Sequence, residues 1–68
     1  MVPVNITRGP FSANVDPIYV AGRHQGEYQV VVSRYGTPLY ERLEGDFEEA
    51  LRLAKAYVDW ELDHYTDT

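Results

Sequence analysis

Asp59, Glu61, Asp63 and Asp67 follow one another at short spacing in "DWELDHYTDT", with His64 among them. Carboxylates beside a histidine can move protons, hold a divalent cation, or dock against a basic surface, and each use asks for different surroundings. Proton transfer at a reacting centre needs a nucleophile and a base held in reach of each other, and no Ser, Thr or Asp of this chain stands in a recognisable nucleophile setting. A structural zinc site is disfavoured because the chain has no cysteine and its two histidines, His24 and His64, lie far apart. Phosphate binding lacks its usual loop, since Gly9, Gly22, Gly26, Gly36 and Gly45 are each isolated. The sequence therefore predicts no catalytic residue, no metal ligand and no cofactor, which leaves the third use: a carboxylate surface for a basic partner.

Charge supports that direction. Residues 1–40 hold two acids against three bases, whereas residues 41–68 hold nine acids against three bases, so the net charge of −5 comes entirely from residues 41–68. A field of that sign repels phosphate backbones and attracts basic grooves. Glu44, Glu48, Asp59, Glu61, Asp63 and Asp67 are the candidate partner-binding acids.

At 68 residues the chain is a single small domain, and one of this size buries only about 60% of its unfolded surface. Without cysteine it has no disulfide to compensate, so association with a partner or with a second copy is the remaining source of stability. No basic leader, signal peptide or membrane-length apolar run is evident, which predicts a soluble, cytoplasmic protein with no membrane partner. On that expectation the Asn5-Ile6-Thr7 glycosylation sequon is idle.

The elements follow from breakers and periodicity. Pro3, Pro10 and Pro17 with Gly9 mark residues 1–17 as an extended arm, with room for a short edge strand around Val4–Ile6. Alternation then predicts a β-meander over 18–43: a strand at 18–23, a turn at "HQG", a central strand at 27–35, a turn at "GTP" and a third strand at 39–43. Placing Ile18, Val20, Tyr28, Val30, Val32, Leu39 and Leu43 inward leaves Tyr19, Arg23, Tyr35, Tyr40 and Arg42 on an open outer face able to stack bases or dock a protein.

A helix over 46–65 follows, with Asp46 as N-cap and Glu49 three residues on. On a helical projection Phe47, Leu51, Ala54, Val58, Leu62 and Tyr65 share one stripe for the core. Leu53, Tyr57, Trp60 and His64 form a second, aromatic shoulder that widens the apolar arc to roughly 200°, twice what one sheet requires. That shoulder is expected either to be covered by the N-terminal arm or to serve as a partner or homodimer contact. The fold class predicted is α+β: a three-stranded antiparallel meander, or four-stranded if Val4–Ile6 joins, with one C-terminal amphipathic helix packed on one face.

Two likenesses bear on function. The stretch "GEYQVVVSRYGTPLYERLEGDFEEALRLAKAY" resembles the three-strand-plus-helix DNA-reading modules of plant ethylene-response factors and the arm-binding domains of tyrosine integrases, which share a Tyr-x-Val central strand, a Gly turn and a Phe-x-x-x-Glu-Ala-like helix start. The resemblance implies nucleic-acid binding through the sheet, although Arg23 and Arg42 are the only basic residues on the expected outer face, where those modules carry many. As a class, a cysteine-free acidic domain of this size also resembles the small phage-encoded inhibitors, anti-CRISPR proteins among them, which act in the host cytoplasm by occupying basic surfaces. The leading expectation is a non-enzymatic inhibitor that covers a basic surface of a nucleic-acid-handling protein; the alternatives are a weak nucleic-acid-binding module using the Tyr/Arg sheet face and a homodimeric assembly protein.

Overall fold

The computed structural model describes residues 3–65. Four strands, β1 (Val4–Arg8), β2 (Phe11–Val20), β3 (Arg23–Arg34) and β4 (Thr37–Glu44), form one antiparallel sheet in chain order, and α1 (Phe47–Asp63) packs across one face. The expected meander and helix are both present, and the strand near Val4–Ile6 makes the sheet four-stranded.

Residues 11–17 are not an arm. They form the first half of β2, with Phe11, Ala13 and Val15 buried against the helix and Ser12, Asn14 and Asp16 on the opposite face. Proline did not break this strand because Pro17 falls beyond the last β1 pair, Val4 to Val15, and beside the register shift between Pro17 and Tyr19. At such positions a missing N–H costs no ladder bond.

The turns also move from their expected places. "HQG" lies inside β3, and the chain reverses instead at Ala21-Gly22, flanked by the pair Val20 and Arg23. Its partner turn is Tyr35-Gly36 between Arg34 and Thr37. Both are two-residue loops with positive φ at both positions, 52° and 77° in the first, 49° and 81° in the second. That backbone matches the right-handed twist of the flanking strands, and a Gly in the second position relieves half of its steric cost.

Beyond the reach of β1 and β4, β2 and β3 run on as a two-stranded ribbon whose residues 19–27 are all exposed, giving the molecule a longest dimension of 45 Å. A chain of rings stiffens its helix-facing side: Phe47 to Tyr28 at 5.5 Å, Tyr28 to His24 at 4.9 Å, and His24 to Tyr19 at 5.6 Å between centroids.

The core joins Phe11, Ala13, Val15, Tyr28, Val30 and Val32 of the sheet to Ala50, Ala54 and Val58 of α1. Two alanines on the buried stripe let the helix lie close to β2 and β3, while Val4 and Ile6 of β1 and Tyr40 of β4 flank the core. Leu62, assigned to this stripe from the sequence, sits at its edge and is exposed. Among the described residues no buried side-chain nitrogen or oxygen lacks a partner, and no helix is long and apolar enough to cross a membrane.

Candidate functional site

The sheet face away from α1 is mainly polar and carries neither Tyr40 nor Arg42, the two β4 residues expected there. Cross-strand pairing sets its rows: Thr7, Ser12, Ser33 and Pro38; then Asn5, Asn14, Val31 and Glu41; then Asp16, Gln29 and Leu43. Asn5 donates to Asn14, and Gln29 Nε2 donates to Glu41 Oε2 at 2.7 Å.

The faces of β4 are the reverse of the sequence reading. Tyr40 pairs with Val32 and Arg42 with Val30, both core residues, so Tyr40 and Arg42 stand on the helix side, whereas Leu43 pairs with Gln29 on the far side and is 59% exposed. The cause is a bulge, since Tyr40 pairs with Val32 but Pro38 pairs with Ser33, leaving Leu39 unpaired and exposed. One extra residue exchanges the two faces of everything beyond it. Of the other expected outer-face residues, Tyr19 and Arg23 lie at the tip of the ribbon and Tyr35 in the opposite turn.

The aromatic shoulder of α1 is real and open. The helix itself is fixed by Asp46, whose backbone is extended and whose Oδ2 accepts from the Glu49 N–H at 2.9 Å. Glu49 in turn receives the Arg52 guanidinium, at 3.1 Å from Nε, and this contact holds the carboxyl below its ordinary pKa and raises that of Arg52.

At the other end, His64 follows the last helical residue, stacks on Trp60 with centroids 4.0 Å apart and planes 16° from parallel, and brings Nδ1 to 2.8 Å from the Trp60 carbonyl. A carbonyl only accepts, so Nδ1 carries the proton. His64 thus caps α1 and fixes the indole orientation together. Trp60 is 55% exposed, and β1 does not cover it, since it lies at the opposite edge of the sheet from β4.

Trp60 forms one wall of an open groove of about 460 Å³ between α1 and β4, with Tyr40, Arg42, Ala56, Tyr57 and Glu61 forming the rest. Tyr40 and Tyr57 meet edge to face at 5.6 Å, and the Arg42 guanidinium sits 5.3 Å from the Tyr40 centroid. Partial burial pushes the Tyr40 hydroxyl up to about 12, helped by the charge of the nearby Glu61 carboxylate. Leu53, the remaining shoulder residue, is half-buried one turn before Tyr57.

The six candidate acids do not form one patch. Glu44, which pairs with Tyr28 at the end of β4, and Glu48, in the first turn of α1, lie near the helix N-terminus. Asp59, Glu61 and Asp63 lie in its last two turns, roughly 17 to 23 Å from Glu48 along the axis at 1.5 Å per residue. Asp67 is outside the described residues. Asp59 accepts from Arg8 Nε at 3.3 Å, a link between β1 and α1 formed by residues far apart in the chain. Both side chains remain at least half exposed, 50% and 59%, so this ion pair is weak and leaves the carboxylate accessible. No basic residue occupies the last turn of the helix. Comparison with family models, curated proteins and solved structures finds no match to this chain.

Proposed function

We propose that the protein is a small acidic protein-binding inhibitor that docks the C-terminal half of α1 onto a basic, nucleic-acid-binding surface of a partner. One observation carries this reading: a half-exposed Trp60, stacked on His64, stands among Asp59, Glu61 and Asp63 with no base in the last helical turn. An oriented tryptophan provides a large contact area at low entropic cost, which is why such residues dominate interface energetics. Acids at a helix C-terminus oppose the helix dipole, so their placement works against local stability. The same acids steer a basic partner, raising its association rate as ionic strength falls. Occupation of that surface excludes the partner's own DNA or RNA, as the phage-type inhibitors do, and a cysteine-free chain suits the cytoplasm.

The test is competition against labelled DNA and RNA bound to a panel of purified nucleic-acid-binding proteins, at low and at high salt. Wild-type protein should displace the nucleic acid from at least one member, and the double reversal Asp59→Lys with Asp63→Lys, shown to be folded by circular dichroism, should not. Equal displacement by the reversed protein, or direct binding of the wild type to the nucleic acid, would sink the reading.

A further inference from the structure

The groove between β4 and α1 has a chemistry of its own. Its walls are Tyr40, Tyr57 and Trp60, its rim carries the Glu61 carboxylate, and it already holds a cation from within the chain, the Arg42 guanidinium over the Tyr40 ring. Aromatic faces with an adjacent carboxylate attract a cation twice over, through the ring quadrupoles and through charge. Trp60 gives one face to His64, and its exposure leaves indole surface toward the groove.

We propose that this groove is a receptor for an arginine side chain, supplied by the basic partner surface, whose guanidinium stacks between Tyr57 and Trp60 and pairs with Glu61. Three features select guanidinium over ammonium. The groove is an open slot rather than an enclosed cage, which suits a planar group that stacks. Glu61 offers, on the lining of the groove, a carboxylate that a guanidinium fork can meet through two donors. A guanidinium is also less strongly hydrated than an ammonium, so it enters an aromatic slot at lower desolvation cost.

Arg42 has a second part in this arrangement. It is anchored by a hydrogen bond to the Glu41 carbonyl at 2.8 Å and lies against Tyr40, so its charge stands beside the incoming one. It therefore acts as an internal competitor, and its removal should strengthen the site.

The inference rests on the reading of a basic partner, yet its test requires none. Trp60 is the single tryptophan of the chain, so its fluorescence reports the groove directly. The protein is titrated with N-acetyl-arginine amide, with its uncharged isostere N-acetyl-citrulline amide, and with N-acetyl-lysine amide. Arginine should give a saturable change in Trp60 emission that weakens with salt, lysine a weaker one, and citrulline none. Glu61→Gln keeps the shape of the side chain and removes its charge, and it should weaken arginine binding by up to about fivefold, the factor that one exposed ion pair carries. Arg42→Gln should strengthen binding. A response equal for citrulline, equal for lysine, or unaltered by both substitutions overturns the assignment, as does the absence of any saturable response. Should Glu61→Gln fail to fold, the citrulline comparison on the wild type and the Arg42→Gln arm still decide it. None of these negative results touches the competition test of partner docking, which reads Asp59 and Asp63 instead.

Discussion

The ring of Tyr40 on β4 meets that of Tyr57 on α1 edge to face, centroids 5.6 Å apart and planes at 85°. Through this contact the edge strand is tied to the helix, and its bulge is held in the register that turns Tyr40 and Arg42 toward α1. Fold and groove therefore share one contact. The Tyr40 hydroxyl, in turn, is poised against Glu61, which links the stability of this corner to pH.

Alkaline pH should loosen that corner before the rest of the sheet. The Tyr40 hydroxyl is raised to about 12, while in the unfolded chain it titrates near 10, so the unfolded state releases its proton first as pH rises. Stability from this group is fully present below about pH 10 and is lost between about 10 and 12. After discounting for the partly exposed ring, the loss is on the order of 1 kcal/mol. Chemical denaturation of the wild type and of Tyr40→Phe across pH 9 to 11.5 checks it: the variant should show the shallower decline, and parallel curves would count against the Tyr40–Glu61 coupling.

Ala54 sits at zero exposure between the helix and the sheet, with Ala50 one turn before it and Val58 one turn after. Ala54→Leu must push α1 away from β2 and β3, and should cost about 1–3 kcal/mol by overpacking. The same change at Ala56, on the exposed side, should cost less than about 0.5 kcal/mol. Thermal unfolding of the two variants separates a close-packed interface from a loose one.

Tyr35 adopts a φ of 49° in the turn between β3 and β4 and is 77% exposed, so its ring contributes little while its backbone is strained. Asn tolerates this conformation better, and Tyr35→Asn should raise stability by about 0.5–1 kcal/mol. A lowered denaturation midpoint would mean that the tyrosine makes contacts in solution that the exposed ring does not suggest.

How much of this could be read from the sequence varies from element to element. The helix was legible because its capping residue, periodicity and first-turn acids all agree, and Asp46 caps it as expected. Phe11-Ser12-Ala13-Asn14-Val15-Asp16 alternates cleanly and reads as a strand once the flanking prolines are placed, Pro10 in the turn before it and Pro17 beside the bulge. The orientation of β4 was not legible, because it depends on a single unpaired residue, Leu39, whose leucine suggests the opposite face. The site shared that fate. Tyr57, Trp60 and His64 could be placed together by helical spacing alone, whereas their neighbours Tyr40 and Arg42 came into view only with the bulge. The Arg8 to Asp59 pair spans 51 residues and has no local signal at all.

Trp60 and Tyr57 should respond oppositely to truncation, and the contrast tests whether the shoulder serves binding or folding. Tyr57 is half-buried and packs on Tyr40, so Tyr57→Ala should destabilise the fold by about 2 kcal/mol, through lost area and the lost edge-to-face contact. Trp60 is 55% exposed, and its main contact is the stack on His64, which remains tied to the helix end by its own bond to the Trp60 carbonyl. That bond uses the backbone and survives Trp60→Ala. The substitution should therefore cost less than about 1 kcal/mol in stability, while weakening a partner complex by about 2 kcal/mol, or some thirtyfold, as truncation of a central interface tryptophan does. Urea denaturation reads the first effect and competition binding the second. Loss of stability at Trp60 matching that at Tyr57, with no change in binding, would assign the indole to the fold; the reverse pattern would make it the anchor around which the acids of α1 are arranged.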